Sequence, residues 1–419
     1  MKEYFSLLFE DGEWAEKEAE MAIIFRNAFI VDGRGGLLER GFIVVEKGRI
    51  AKVGKGTDPG EKNGHEIVDL EGRTMLPGMI DCHVHLCIDG SADPIQSLRK
   101  DSEQLVTLKA AKNAYLSLSA GVTTLRDLGS LNGITVSLRE AINLGITVGP
   151  RIVCCNQAIC ITGGQGWEFS RQADGVDEVR RAVREQLRAG ANFIKLMSTG
   201  GVMTPGIEAG VPQFSYEELK AGVEEAHKAS RKTAAHAQGS QGIKDSLKAG
   251  IDSIEHGINL DDEAIRLFLE KKAVLVPTLS APFNIMEKGE KSGIPAFVIE
   301  KTERVKDIHI ESAKKAYQAG IPIAMGADAG TPFNGHGENL KELELLVGIG
   351  LSPMEAIVSA TRIAAEAVGL SHMIGTIEEG KRADLIVVEG DPLKDIRILQ
   401  NKSNIVAIMK DGRFFKKLV

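Results

Sequence analysis

Eight short apolar runs alternate with helical stretches between residues 79 and 328, and this alternation constrains the fold more than any other feature. Short continuous apolar runs are typical of strands buried on both faces, and several of the helical stretches end near a glycine or serine. The pattern predicts an α/β fold, specifically a (β/α)₈ TIM-like barrel. The runs cover residues 79–86, 122–129, 151–155, 192–197, 233–237, 252–256, 273–277 and 322–328.

A doubly wound open sheet is the competing α/β fold. It is expected to carry a GxGxxG turn after its first strand, and the sequence contains no such turn. The two ends of the chain differ from the middle, because residues 21–76 and 375–419 alternate apolar residues with turn motifs and so predict short antiparallel strands. Residues 1–20 form an acidic amphipathic stretch that we expect to be a separate arm.

The composition excludes several classes of protein. Of the 419 residues, 43% are hydrophobic and 26% charged, which is typical of a globular protein, and no apolar run is long enough to cross a membrane. The formal net charge is −7, and no basic stripe with interleaved aromatic residues indicates a nucleic-acid partner. The five cysteines include no CxxC pair and the N-terminus lacks a secretory pattern, so we expect reduced thiols and a cytoplasmic protein.

Polar residues end several of the apolar runs, where the active site of a barrel would form. His83 and His85 are two residues apart on one run, so both imidazoles face the same side of a strand. Imidazole nitrogens are typical ligands of Zn²⁺ and similar ions. The sequence therefore predicts a metal site at the mouth of the barrel, with these candidate residues: His83, His85, Lys195, His236, His256 and Asp328.

Lys195 stands in an apolar run, where burying an unpaired ammonium group would be costly. One solution is an ion pair with a carboxylate such as Asp328 or Glu255. The other is conversion to a carbamate by CO₂, which gives a two-oxygen anion able to bridge two metal ions. For Arg126 and Asp127, at the end of the second run, we expect a structural ion pair.

Five segments resemble the metal-dependent amidohydrolase superfamily, in particular its branch with two metals and a carbamylated lysine. The same resemblance extends to the tail at residues 375–393. Residues 335–357 further resemble the imidazolonepropionase-related group, which includes peptidases that act on dipeptides with C-terminal Pro, Lys or Arg. The five segments are LPGMIDCHVH (76–85), FIKLMSTGGV (193–202), AAHAQG (234–239), SIEHG (253–257) and MGADAGTP (325–332).

The resemblance implies a barrel over residues 77–374 and a small β-sandwich domain built from both chain ends, 21–76 and 375–419. It also implies that one metal is bound by His83, His85 and Asp328. The second metal would be bound by His236 and His256, and a carbamate on Lys195 would bridge the two ions together with a hydroxide. Zinc is the expected metal. Asp328 would be the catalytic residue, carrying the proton from the attacking water to the leaving amine.

For the substrate, the resemblance implies a small peptide or N-acyl amino acid cleaved at its amide bond, with a cyclic amide as the alternative. We expect Gln165, His336, Tyr216 and Arg171 to bind it. Gln165 and Gln238 stand where related proteins often carry histidine, so the substrate does not follow from the family alone. A single-metal deaminase is disfavoured by Lys195, and a non-catalytic scaffold by the complete ligand set. We also expect a homo-oligomer.

Overall fold

The computed structural model describes residues 22–56 and 65–418, which form a mixed α/β fold. The acidic arm predicted at residues 1–20 lies outside the described residues. Within the described ranges, no helix has the length and apolarity needed to cross a membrane.

Strands occupy both ends of the described chain and recur through its middle, where helices separate many of them. The strands are β1 (Ile23–Val31), β2 (Leu37–Glu46), β3 (Arg49–Lys55), β4 (Glu66–Asp69), β5 (Thr74–Pro77), β6 (Met79–Val84), β7 (Val122–Asp127), β8 (Arg151–Cys154), β9 (Ala158–Cys160), β10 (Ser170–Gln172), β11 (Ile194–Met197), β12 (Thr233–Ala237), β13 (Ser253–His256), β14 (Val274–Val276), β15 (Leu385–Val388), β16 (Ile405–Lys410) and β17 (Arg413–Lys416).

The helices follow the strands of the middle region. They are α1 (Pro94–Lys100), α2 (Glu103–Ser119), α3 (Ile134–Asn143), α4 (Val176–Arg188), α5 (Tyr216–Lys228), α6 (Ser240–Ala249), α7 (Asp262–Lys271), α8 (Ser280–Lys288), α9 (Ala296–Gln318), α10 (Lys341–Gly348), α11 (Pro353–Val358) and α12 (Ala364–Ala367). A π-helical turn at Ser359–Ile363 joins the last two.

The strands of the middle region are parallel and lie in two sheets, β6-β7-β8 and β10-β9-β11-β12-β13-β14. Backbone contacts join the two sheets at two places. On one side the Asn192 N–H donates to the Cys154 carbonyl at 2.8 Å. On the other, the eighth run forms no regular strand but makes parallel bridges from Ile323 to Leu275 and from Ala329 to Val84. The carboxyl ends of the parallel strands therefore meet at one face.

The helices bury apolar residues at helical spacing against these sheets. On α4, Val179, Ala182 and Val183 are fully buried, and the acidic first turn complements the helix dipole. The next helix, α5, begins with a capping box in which Ser215 and Glu218 satisfy each other's backbone N–H groups. Residues of α4 and α5 therefore share one apolar core with residues of β11.

The strands from the two chain ends form one eight-stranded sheet in the order β17-β16-β15-β5-β1-β2-β3, with β4 beside β1. The join is the antiparallel pairing of β5 with β15, in which Leu76 lies opposite Ile386. Arg151, at the start of β8, ties this sheet to the parallel strands through ion pairs with Asp384 and with Asp411, the latter at 2.6 Å. The domain boundaries at 77 and 375 stay predictions.

Candidate metal centre

The ends of the parallel strands bring all six predicted ligand residues into one cavity. Asp328 Oδ1 lies 3.4 Å from His83 Nε2 and 3.5 Å from His85 Nε2. Next to them, His236 Nδ1 lies 2.9 Å from His256 Nε2. The His83 and His256 rings connect these two groups, with centroids 5.1 Å apart. Lys195, in β11, is 1% exposed and lines the same cavity.

Three residues around the cavity have a left-handed backbone although none is glycine. The φ angles are 69° at His256, 56° at Thr278 and 57° at Asp328. Such conformations are uncommon for residues with a Cβ and occur where function requires a particular side-chain direction. At the end of β13 the turn of the chain lets the neighbours Glu255 and His256 both reach the histidine cluster, although successive strand residues normally face opposite sides.

His83 is held by a buried carboxylate. Its Nδ1 lies 2.9 Å from Glu255 Oε2, and Glu255 Oε1 accepts a hydrogen bond from Arg126 Nη2 at 2.7 Å. Since Glu255 is fully buried beside an arginine, its carboxylate accepts the Nδ1–H of His83, which leaves the lone pair of Nε2 facing Asp328. Carboxylates that orient histidines in this way are typical of metal sites.

Asp81 holds the His83 strand against the segment that carries Asp328. Its Oδ1 accepts from the backbone N–H groups of His83, at 2.9 Å, and Ala327, at 3.1 Å. Its Oδ2 accepts from Asn339 Nδ2 at 2.7 Å. These bonds fix the relative position of His83 and Asp328, although the eighth run forms no regular strand.

Neutral groups hold His256. Thr278 Oγ1 donates to the Pro277 carbonyl at 2.6 Å, so it can accept from His256 Nδ1, which lies 2.7 Å away. The lone pair of His256 Nε2 then faces His236. The His256 carbonyl lies 3.1 Å from His309 Nε2.

Burial shifts the pKa of each histidine in the cluster and of Asp328 in the direction that favours the uncharged form. It lowers the pKa of His85 and of His236 to about 3, and the pKa values of His83 and His256 well below their usual range. The imidazoles are therefore neutral and present lone pairs. Burial also raises the pKa of Asp328 to about 7.

Lys195 has neither of the ion-pair partners considered from the sequence. Among residues 22–56 and 65–418, no ion pair or side-chain hydrogen bond holds its ammonium group, and Glu255 instead binds Arg126 and His83. Burial lowers the pKa of Lys195 to about 8, which increases the fraction of neutral amine. A neutral amine is the form that reacts with CO₂.

The donor set fits divalent metal ions. One ligand atom each from His83, His256 and Asp328 lie within 4.8 Å of one another, and all three residues are buried. Asp328 Oδ1 and His236 Nε2 are buried without a hydrogen-bond partner. Neutral imidazole nitrogens with a carboxylate oxygen are ligands of zinc and related ions.

The sequence matches the Amidohydrolase family over residues 74–415. The chain belongs to this family. It is therefore a metal-dependent hydrolase that acts on C–N amide bonds. Ochratoxinase of Aspergillus niger is 32% identical over 438 aligned residues, covering 95% of this chain and 87% of that protein.

Two further comparisons agree with this family. Imidazolonepropionase of Geobacillus kaustophilus is 23% identical over 425 aligned residues, which cover 90% of each protein. The crystal structure of a Xaa-Pro dipeptidase with bound methionine has a TM-score of 0.88 and 33% identity, and covers 94% of this chain and 100% of that one.

Of the four residues predicted to bind substrate, only Gln165 lines the cavity of this amidohydrolase chain. Arg171 points to α4, where it forms an ion pair with Glu185 at 2.9 Å. Tyr216 begins α5, and its ring lies under Lys220 rather than at the cavity. His336 is buried behind the cavity wall with Nε2 3.0 Å from the Ile88 carbonyl. Arg171, Tyr216 and His336 therefore do not belong to the proposed substrate site.

The expected ion pair between Arg126 and Asp127 is also absent. Asp127 accepts from the Leu86 backbone N–H at 2.8 Å, and Arg126 reaches across to Glu255. Sequence reasoning missed this role of Glu255. The available signal was an acidic residue directly before a candidate ligand in the otherwise buried run 252–256.

Proposed function

We propose that the protein is a two-metal hydrolase that cleaves a C–N amide bond in dipeptides or N-acyl amino acids. The observation that carries the proposal is the convergence of four neutral histidines, Asp328 and an unpaired buried Lys195 on one cavity. Membership of the amidohydrolase family supports the reaction class. Similarity to a Xaa-Pro dipeptidase supports a peptide-like substrate.

In this proposal His83, His85 and Asp328 would hold one ion, and His236 and His256 would hold the other. Lys195, as a carbamate formed with CO₂, would supply oxygen ligands to both. When bound, the ions would supply a hydroxide near neutral pH and a Lewis acid for the amide carbonyl. Zinc is the proposed metal.

Asp328 is the proposed catalytic residue. Its Oδ1 is buried without a hydrogen-bond partner, and burial raises its pKa to about 7. A bound divalent ion would lower this pKa again, so the transfer would depend on the proton passing directly from the water to the carboxylate and on to the leaving group. Asp328 would take the proton of the attacking water and deliver it to the leaving nitrogen.

A cyclic amide is the second candidate substrate, and the similarity to imidazolonepropionase favours it. Closure of the two parallel sheets into a (β/α)₈ barrel, with the eight-stranded sheet as part of a β-sandwich, belongs to the same proposal. So does assembly into a homo-oligomer. The cytoplasmic location stays a prediction.

The test combines metal analysis with substrate screening. We expect about two divalent ions per chain in the purified protein, and turnover of dipeptides or N-acyl amino acids in preference to cyclic amides and lactones. Lys195→Ala is expected to lose both metal and activity, and added short carboxylic acids should restore part of each. Two bound metals and normal activity in Lys195→Ala, without such acids, would contradict the mechanism.

A further inference from the structure

The wall of the cavity above the ligand residues is apolar. The cavity has a volume of about 80 Å³ and is enclosed largely by aliphatic, aromatic and thioether side chains. Such a wall recognises an apolar group by excluding water from it. Representative residues of the wall are Ile88, Ile95, Phe169, Met203, Ile258 and Ile285.

The polar side chains outside the ligand set are mainly neutral. Gln165 and Gln238 both line the cavity and are 7% and 6% exposed. The Gln165 Oε1 accepts from the Gly201 N–H at 3.0 Å, and the Gln238 Oε1 is buried without a partner. Among the described residues that line the cavity, Lys195 is the one lysine or arginine, and the proposed function uses it for the bridging carbamate.

Two cations close to the cavity are already bound to other groups. Arg99 forms an ion pair with Glu168, itself a lining residue, and lies over the Trp167 ring at 5.4 Å from its centroid. Lys301 donates to the Thr204 carbonyl at 2.8 Å and to the Ile207 carbonyl, which holds that loop in place. Neither Arg99 nor Lys301 lines the cavity.

A carboxylate buried against this wall, away from the ions that the ligand residues would hold, has no cationic partner among the described lining residues, and such burial is strongly disfavoured. We infer that this site recognises the apolar side group of its substrate and does not require a free carboxylate beside the scissile amide. Resting on the proposed C–N hydrolase function, the inference extends the substrate class from dipeptides and N-acyl amino acids with an apolar side group to the uncharged amides that carry the same side group. Those whose carboxylate is blocked or missing should be cleaved at least as well as the free acids.

The test uses three matched compounds with the metal-loaded protein: N-acetyl-leucine, N-acetyl-leucinamide and N-(3-methylbutyl)acetamide. Acetate release measures cleavage of the same bond in each. We expect kcat/KM for the two neutral compounds to equal or exceed that for the acid. A preference for the acid of about tenfold or more, the size of a charge-assisted hydrogen bond, would overturn the inference.

Failure of the proposed hydrolase function can be told apart from failure of the inference about the carboxylate. If no compound is cleaved, the hydrolase proposal fails for this class of amide. Calorimetric binding of two inhibitors, N-methylphosphonyl-leucine and N-methylphosphonyl-3-methylbutylamine, then still decides the inference. Equal or tighter binding of the neutral-tailed inhibitor supports it, and about tenfold tighter binding of the acid contradicts it.

A variant that introduces a positive charge tests whether Gln238 belongs to the wall that contacts the substrate. Gln238→Lys places a cation where an amide now lines the cavity, and should shift the acid-to-neutral ratio of kcat/KM toward the acid by about fivefold or more. Gln241→Lys is the matched control, because Gln241 is exposed on α6 and bonds to Asp245. An unchanged ratio in Gln238→Lys, with normal thermal unfolding and metal content, would count against Gln238 as part of the substrate wall.

Discussion

The candidate metal centre has two halves, and different chemistry holds each of them. One half is His83, His85 and Asp328, and the other is His236 and His256. On one half, His83 is oriented by Glu255, which is paired with Arg126, and its strand is fixed by Asp81. On the other half, His256 is oriented by the hydroxyl of Thr278 and by no buried carboxylate among the described residues. Both halves present neutral imidazoles, but one is supported by carboxyl and guanidinium side chains and the other by a hydroxyl group.

If the cavity holds two ions as proposed, this difference predicts that it binds them with unequal affinity. A carboxylate behind a histidine increases the basicity of the imidazole and strengthens its bond to a metal, while a hydroxyl group mainly fixes the ring orientation. The half that contains His83, which also includes the carboxylate of Asp328, should therefore bind its ion more tightly than the half that contains His236 and His256.

The largest expected effect is on turnover, from Asp328→Asn. The amide has the same shape but cannot accept the proton, so we expect kcat to fall by about 10²–10⁴-fold. Steady-state kinetics and metal analysis of the same preparation measure it. A kcat within tenfold of the parent would exclude Asp328 as the proton carrier.

Glu255→Gln should weaken metal binding only in the half that contains His83. The amide preserves the packing but removes the negative charge behind His83, so one of the two metal dissociation constants should rise about 10–100-fold. Competitive chelator titration resolves the two constants. Equal weakening of both ions would break the proposed distinction between the halves.

Thr278→Val should have a smaller effect on the neutral half. The variant removes one neutral hydrogen bond to His256, which is worth about 1 kcal/mol or about fivefold in the other dissociation constant. The same titration measures it. A loss as large as that of Glu255→Gln would show that the hydroxyl does more than orient the ring.

Arg151→Met should leave both metal constants unchanged. It removes a largely buried guanidinium from Asp384 and Asp411, away from the cluster, and should lower the free energy of unfolding by about 3 kcal/mol. Chemical denaturation and metal titration together provide the control. If the metal affinity of Arg151→Met changed, metal affinity would depend on the overall stability of the fold. The effects of Glu255→Gln and Thr278→Val could then not be attributed to the groups behind each histidine.

Much of the cluster could be predicted from the sequence because the strand period and the position of an active site in a barrel are local rules. His83, His85, His236 and His256 each lie at or near the end of a short apolar run, and a common sheet edge brings such residues together. The eighth run was less predictable. Its contacts are isolated bridges, and Asp328 is held by Asp81 through the backbone of Ala327.

The supporting residues could not be predicted, because their partners are far apart in the chain. Arg126 has an acidic neighbour at Asp127, yet it pairs with Glu255, 129 residues away. The prediction that Arg171 and Tyr216 bind substrate rests on residue type alone, and their side chains contact local neighbours instead. Residue type and spacing do not determine whether a buried arginine forms its ion pair with an acidic neighbour in the sequence or with an acid that the fold brings close to it.

The pairing of Leu76 with Ile386 has a consequence for the order in which the chain acquires its structure. A ribosome makes β5 early and β15 late, so all six ligand residues are synthesised before β5 meets its partner. Until then the edge of β5 that faces away from β1 is unpaired, and such edges promote association between chains. The nascent protein therefore has a complete set of ligand residues while its terminal sheet is still open, and the long sequence separation predicts that closure of this sheet is a slow step.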